Sequence, residues 1–287
     1  MLAHGALTLQ GELPATARIP LREPKNPVSF LGGVAVVTAF TVSVRYPKDF
    51  SGVDSWQGFI DYMMNPGQRE LFGIVFCGLV VFILGLFDDY IHLNAIFKLA
   101  VILACTLILH HFGVIITLFE LKWLNLLITV LWIAGVTSAT NSLDHVDGAT
   151  AGTTAITAFF TFLFAWYAPE PQRWLSFVSV ALLGATLGFL QFNFHPAKIY
   201  LGDNGAFFLG YVMSAMAMLG GWSQDPVKAL LTPALLTITP VYDIILSTVL
   251  RYKNGVVRTF PEAILYCGRD HTTHRMMAHG LSKHVAV

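Results

Sequence analysis

The stretch LNLLITVLWIAGVTSA (residues 124–139) leads directly into TNSLDHVDGATAG (residues 140–152), and another apolar run follows. The first segment lies within an apolar run that is long enough to cross a membrane as a helix. The second segment contains two carboxylates, an amide and Gly148. Acidic groups at membrane depth cost about 2.5–3.5 kcal/mol each on insertion scales and usually mark function. The two segments together therefore predict a membrane helix that ends in a chemically active turn.

Three polar residues of this turn share one side of the helix. At about 100° per residue, Asn141, Asp144 and Asp147 lie along one face if the helix extends that far. The chain direction places them at a helix C-terminus, where the macrodipole disfavours negative charge. A compensating cation is expected there, and a metal ion is the simplest candidate.

The composition of the whole chain predicts an integral membrane protein. The 287 residues are 55% hydrophobic and only 12% charged, whereas a soluble domain averages about 25% charged residues. The formal net charge is +0, so no global field attracts nucleic acid and no nucleic-acid partner is expected. Cys77, Cys105 and Cys267 are widely separated, and we interpret them as small packed thiols.

The distribution of apolar runs predicts an all-α, polytopic protein with about eight membrane helices and one catalytic domain over residues 1–287. Residues 1–27 form a polar lead-in, and residues 251–287 form a cytoplasmic tail. Pro233 and Pro240 are expected to kink the last span. The predicted spans cover residues 28–44, 71–87, 94–112, 122–140, 149–168, 174–192, 205–221 and 227–250.

The positive charges predict the orientation of these spans. If the first helix starts in the cytoplasm, inner segments hold eleven of the 17 Lys and Arg residues and outer segments hold six, in agreement with the positive-inside rule. This orientation depends only on the Lys and Arg residues, yet all the polar motifs fall on the predicted cytoplasmic face. The residues concerned are Asp88, Asp89, Asn141, Asp144, Asp147, Asp203, His271 and His274.

Two acidic motifs on this face have competing interpretations. Asp88 and Asp89 end an apolar run and form either a solvated helix terminus or a pair that shares a cation or a proton. Asp203 lies between Gly202 and Gly205, which permit tight turns. Asp203 is either an N-cap of the next helix or a ligand of Mg²⁺, which usually binds one or two carboxylates together with substrate phosphates.

The tail and two lysines supply positive charge. His271-Thr272-Thr273-His274-Arg275 forms a cationic motif of the kind that holds a phosphorylated substrate. Zinc binding by the two histidines is disfavoured, because no Cys or third ligand is near. Lys98 and Lys25 either snorkel to the interface or pair with a phosphate. Between and beside the motifs, His145 is uninformative, and His195 and Asn193 are interpreted as the end of a helix.

Four motifs, in this order, resemble the polyprenyl-phosphate N-acetylhexosamine-1-phosphate transferases. The resemblance runs from about Pro27 to about Arg275. Its motifs are Phe87-Asp88-Asp89, Asn141-x-x-Asp144-x-x-Asp147-Gly148, Tyr200-x-Gly202-Asp203-x-Gly205 and His271-x-x-His274-Arg275.

The resemblance implies a role for each matching residue. Asp203 resembles the Mg²⁺ ligand, with Asp88 close to the metal, and Mn²⁺ is an alternative ion. Asp88, Asp89 and Asp147 are the catalytic candidates, and either Asp88 or Asp89 acts on the lipid phosphate. Tyr200 resembles the aromatic residue that stacks on uracil. The implied contacts to nucleotide, sugar and phosphate are Asn141, Asp144, Tyr200, Asn193, Lys98, Lys25, His271, His274 and Arg275.

The implied reaction converts a UDP-N-acetylhexosamine and a polyprenyl phosphate to the polyprenyl-diphospho-sugar and UMP. It would be the first membrane step of a cell-envelope polysaccharide such as lipopolysaccharide or a cell-wall polymer, at the cytoplasmic side of the inner membrane. Thr272-Thr273 stand where the phospho-MurNAc-pentapeptide translocase has histidines, which favours the GlcNAc-1-phosphate branch. Direct attack and a covalent intermediate both stay open, and a homodimer is a further expectation.

Some features depart from the family or fit other classes. Family members usually carry more membrane helices than the eight predicted here, so the chain resembles a truncated or minimal member. The CDP-alcohol phosphotransferases share the Asp144 to Ala151 pattern, but Gly152 stands where they need Arg. A cation-coupled transporter would place its carboxylates near the midplane, whereas these carboxylates fall at helix ends.

Overall fold

A computed structural model describes residues 31–45, 64–168, 170–223, 225–259, 262–263, 271–278 and 280–281, with only the backbone at positions 45, 226, 274 and 278. The described residues form ten α-helices and no strand, which confirms the predicted all-α class. The helices are α1 (Gly32–Arg45), α2 (Pro66–Ile91), α3 (Ala95–His111), α4 (Lys122–Leu143), α5 (Ala149–Trp166), α6 (Arg173–Asn193), α7 (Gly202–Leu219), α8 (Pro226–Leu236), α9 (Ile238–Lys253) and α10 (Thr272–Ala278).

Helix α7 is the central element of the bundle. Nearly all of its residues are buried, including large side chains such as Phe208 and Tyr211. It packs mainly against α2, α4 and α1. Small residues make this possible, because a Cβ atom at Gly210 would lie only 2.8 Å from the Cβ of Thr140. A helix that is apolar on all sides must be buried, and the other helices cover it.

The apolar runs predicted from the sequence fall on α1 to α7 and on the α8–α9 pair. Four of these helices, α2, α4, α5 and α6, are long and apolar enough to cross a membrane, and α8 with α9 makes a fifth if the bent pair is one span. Helices α1 and α3 are apolar but shorter. Outward faces of the bundle expose large apolar side chains such as Leu131 and Ile156, as expected for a polytopic membrane protein. The prediction of eight spans stays a prediction.

The predicted proline kink is a sharp break between α8 and α9, which meet at 81°. Pro240 has no N–H to donate to the carbonyl group of Leu236, four residues earlier. The hydroxyl group of Thr157, on α5, donates to that carbonyl oxygen at 2.7 Å instead. The break is therefore held by a side chain from a neighbouring helix.

Two of the three cysteines agree with the sequence interpretation. Cys77 and Cys105 are buried free thiols in the bundle core, whereas Cys267 lies outside the described residues. The lead-in of residues 1–27, and Lys25 with it, lies outside them as well.

Candidate active site

Asp88 lies in the last turn of α2 and is only 4% exposed. One carboxylate oxygen accepts a hydrogen bond from the Leu93 backbone at 2.7 Å, and the other pairs with the Lys98 ammonium at 2.6 Å. Asn94 caps α3 by accepting from the N–H of Ile96, which places Lys98 in the first turns of that helix. Lys98 thus partners a buried carboxylate, which neither of its two interpretations proposed, and its contact with a phosphate stays a prediction.

Asp89 has a different environment from its neighbour in the chain. Its carboxylate accepts hydrogen bonds from the backbone N–H groups of Asp203 at 2.8 Å and of Asn204 at 3.2 Å. It also accepts from the side-chain amide of Asn204. The first N–H groups of a helix have no partner within the helix. Asp89 therefore caps α7 from another helix, which gives it a positioning role, and its catalytic role stays a prediction.

Glycines allow α7 to come this close. A Cβ atom at Gly85 would lie 2.4 Å from the Cα of Asn204, and one at Gly33 would lie 2.5 Å from the nitrogen of Gly205. The N–H groups of Gly32 and Gly33 donate to the carbonyl oxygens of residues 200 and 201, at 3.1 and 2.9 Å. The start of α7 is thus held between the start of α1 and the end of α2.

Asp203 lies in the first turn of α7, while the N-cap position is taken by Leu201. Because Asp89 caps the helix, the interpretation of Asp203 as the N-cap does not hold. Its carboxyl group lies close to those of Asp88 and Asp89. Carboxylates that lie close together repel each other unless a proton or a cation is shared.

These carboxylates fit a magnesium ion in donor chemistry. Mg²⁺ prefers oxygen ligands and is usually held by one or two carboxylates together with substrate phosphates. Asp203 and Asp88 supply such a pair. Among the described residues, no three His, Cys, Asp or Glu side chains are arranged to hold a metal ion.

The turn after α4 contacts the loop before α7. Asp147 accepts hydrogen bonds from His195 Nδ1 at 3.0 Å and from the backbone of Ala197 at 3.2 Å. Asn193 is buried, with only 3% of its surface exposed. Its side-chain oxygen accepts a hydrogen bond from the N–H of Gly148 at 3.0 Å, and its side-chain NH₂ group donates to the carbonyl of residue 199 at 3.0 Å. Asn193 and His195 therefore join two loops as well as ending a helix, and the implied substrate contact of Asn193 stays a prediction.

Asn141 and Asp144 lie where α4 ends. Asp144 is the C-cap residue, and its N–H donates to the carbonyl of Asn141. The side-chain oxygen of Asn141 is buried and has no hydrogen-bond partner among the residues that the structure describes. A buried acceptor without a partner is costly, so this oxygen is a candidate contact for a ligand.

The histidine motif reaches the same end of the bundle through a residue that the sequence analysis missed. His271 Nδ1 lies 2.6 Å from a carboxylate oxygen of Asp243, on α9. The His271 ring also stacks on His145, with centroids 5.0 Å apart and planes at 24°. His145, considered uninformative in the sequence, thus belongs to the site. A signal for Asp243 was available, because Asp243, Ser247 and Arg251 recur every four residues in an apolar helix and form a buried polar stripe.

The remaining candidates are placed only in part. The backbone carbonyl of Tyr200 binds the N-terminus of α1, and its side chain is half-buried. Arg275 lies on α10, where its N–H donates to the carbonyl of His271. The side chain of His274, and the whole of Lys25, lie outside what the structure describes.

Fold and site together define an α-helical membrane protein whose carboxylates, lysine and histidines gather where its helices end. Residues 71–221 match the sequence profile of glycosyl transferase family 4, and the chain belongs to this family. The match includes the carboxylates of α2, the turn after α4 and the start of α7, but stops before the histidine motif.

Curated relatives carry consistent names. A probable undecaprenyl-phosphate N-acetylglucosaminyl 1-phosphate transferase of Bacillus subtilis is 31% identical over 77% of this chain and 62% of its own length. A phospho-N-acetylmuramoyl-pentapeptide-transferase of Bacillus pumilus is 33% identical over 69% of this chain and 62% of its own. A decaprenyl-phosphate N-acetylglucosaminephosphotransferase of Mycobacterium tuberculosis is 29% identical over 90% of this chain and 67% of its own length. The chain thus spans less than two thirds of the length of the two Bacillus relatives.

Proposed function

We propose that this protein transfers an N-acetylhexosamine-1-phosphate, with GlcNAc-1-phosphate as the first candidate, from a UDP-sugar to a polyprenyl phosphate and releases UMP. The observation that carries this proposal is the buried Asp88, which pairs with Lys98 and lies close to the Asp203 carboxyl group. Family membership and the names of the relatives support the same chemistry.

The residues of the chain have separate tasks in this proposal. Lys98 offsets the charge of Asp88 and lies beside the position of an incoming phosphate. Asp89 holds Asp203 at the start of α7, and Asn141 offers an acceptor to the nucleotide-sugar. Asp203 and Asp88 would hold Mg²⁺, which when bound neutralises phosphate charge. Phosphoryl transfer depends mainly on such positioning and charge neutralisation.

The site-bearing end of the bundle is proposed to face the cytoplasm, because the positive-inside rule favours that orientation. Cysteine placed at Asn94, an exposed residue at this end, should then react with a membrane-impermeant reagent only in inside-out vesicles. Cysteine at exposed Lys122, at the opposite end of the bundle, should react only in right-side-out vesicles. The background is a variant in which Cys267 is serine, and a reversed labelling pattern would contradict the orientation.

The activity is tested with the purified full chain in detergent, undecaprenyl phosphate and Mg²⁺, with UMP release as the measurement. The donors are UDP-GlcNAc, UDP-GalNAc and UDP-MurNAc-pentapeptide. UMP release that needs both the lipid and UDP-GlcNAc supports the proposal. A requirement for the pentapeptide donor would favour the alternative represented by the Bacillus pumilus relative. Cation uptake into proteoliposomes without UMP release would indicate a transporter.

A further inference from the structure

Asp243 is a carboxylate buried inside a helical membrane bundle, with only 2% of its surface exposed. A carboxylate at such a depth is costly and usually marks function. Both of its oxygens are used. One lies 2.6 Å from His271 Nδ1, and the other accepts the backbone N–H of Thr272 at 2.6 Å. A single residue of α9 therefore holds both the ring of His271 and the start of α10.

Other contacts restrict the ring and the tail further. The His145 ring stacks on one face of the His271 ring. Met277, on α10, packs against the small cluster formed by Leu143, Val146 and Ala149 at the α4–α5 turn. The side chain of His271 is itself 4% exposed. The position and plane of this imidazole are thus set by three different parts of the chain.

The contact with Asp243 also determines which ring nitrogen a ligand can use. A carboxylate only accepts hydrogen bonds, so Nδ1 of His271 must carry the proton that it donates. Nε2 is then the ring nitrogen left for a ligand. It can accept a proton or, when protonated, donate to a phosphate oxygen. A carboxylate behind an imidazole fixes its tautomer in this way and stabilises positive charge on the ring.

We propose that Asp243 is a positioning residue that fixes the Nδ1–H form of His271 and presents its Nε2 to the phosphorylated donor. This inference rests on the proposed function and on the contact between His271 and the donor that the family resemblance implies. Asp243 itself touches no substrate and acts through the imidazole. The alternative is that Asp243 only anchors the tail by accepting the N–H of Thr272.

Asparagine at position 243 separates these two roles. Asp243→Asn keeps an oxygen that can accept the N–H of Thr272, so the anchor is preserved. It presents an NH₂ group to His271 Nδ1, which must then become an acceptor and lose its proton. Ser247→Ala is the matched control, since Ser247 is equally buried one turn further along the same face of α9.

The first measurement is kinetic. Asp243→Asn should lower the rate of UMP release on the order of 10- to 100-fold, the usual effect of losing a residue that orients a functional histidine. His271→Ala and the double variant complete a cycle. If Asp243 acts through the ring, the double variant should be no slower than His271→Ala alone. Independent losses that multiply would overturn the proposal, and Ser247→Ala should lower the rate much less than Asp243→Asn does.

The second measurement does not need activity. Nitrogen-15 NMR of the histidine-labelled protein reports the protonation of each ring nitrogen, and loss of a signal in His271→Gln assigns it. His271 Nδ1 should carry a proton in the wild type and lose it in Asp243→Asn. An unchanged protonation pattern would overturn the proposal. If the wild type transfers none of the donors, the proposed function fails, whereas the NMR result still decides the role of Asp243.

Discussion

The carboxylate of Asp89 accepts the backbone N–H of Asp203 at 2.8 Å, across 114 positions of the chain. This contact makes the end of α2 the cap of α7, and it sets the position of Asp203, which we propose as a ligand of Mg²⁺. It also separates Asp88 from Asp89. The first pairs with Lys98 and faces Asp203, whereas the second binds backbone groups.

Asp89→Asn is expected to lower both stability and activity. The substitution replaces one acceptor oxygen by an NH₂ group that faces N–H donors. Loss of an N-cap costs about 0.5–2 kcal/mol, so the midpoint of thermal unfolding in detergent should fall together with UMP release. Asp225→Asn is the control, because Asp225 caps α8 at an exposed end of the bundle. It should lower stability slightly and leave transfer unchanged. An Asp89→Asn protein of wild-type stability but without activity would instead indicate a catalytic carboxylate.

Asp203→Asn should lower activity without lowering stability, in contrast to Asp89→Asn. The substitution removes a negative charge that lies close to Asp88, and the cap on α7 is supplied by Asp89, so thermal stability should be unchanged or higher. Transfer should fall on the order of a hundredfold or more, the size of effect expected on losing a main electrostatic stabiliser. The Mg²⁺ concentration required for half-maximal activity should rise. Near-normal transfer at unchanged Mg²⁺ would remove Asp203 from the metal site.

The gathering of the polar motifs could be predicted from the sequence because its causes are local. Each motif follows or precedes an apolar run, and alternation of the runs then decides on which side it falls. The structure supports this convergence through contacts such as Asp147 with His195 and Asp89 with Asp203. The pairing of Lys98 with Asp88 was also within reach, since only ten positions separate them.

The different roles of Asp88 and Asp89 could not be predicted in the same way. Two identical neighbours in a chain differ only in the direction of their side chains. The packing of α7 against Gly85 decides which of the two carboxylates reaches the start of α7. The place of His145 in the site depends similarly on His271, which lies more than a hundred residues further along the chain and is held against the bundle by Asp243. Contacts of this kind have no local pattern.

Gly85→Ala should be strongly destabilising. The added Cβ would lie 2.4 Å from the Cα and 2.6 Å from the nitrogen of Asn204, and backbone atoms cannot move aside as a flexible side chain can. Overpacking of this kind costs about 1–3 kcal/mol or more. Because α7 must shift, UMP release should fall as well.

The control for Gly85 is Gly184→Ala on α6, where a Cβ would meet nothing within 4 Å. Alanine is favoured over glycine inside a helix by about 0.5–1 kcal/mol, so this variant should unfold at the same or a higher temperature and keep its activity. Equal destabilisation by the two substitutions would mean that the close approach at Gly85 is not what requires glycine.

Thr157→Val tests the break between α8 and α9. The Thr157 hydroxyl donates to the carbonyl of Leu236, which Pro240 cannot satisfy. Valine has nearly the same shape, so the main change is a buried carbonyl group left without a partner, at a cost of about 1–3 kcal/mol. Thr161→Val is the control, because the equally buried Thr161 donates only within its own helix, to the carbonyl of residue 157. Thermal unfolding in detergent should therefore show a much lower midpoint for Thr157→Val than for Thr161→Val. Since α9 carries Asp243, Thr157→Val should also lower UMP release. Equal shifts in the two variants would mean that the hydroxyl of Thr157 is not what holds the break.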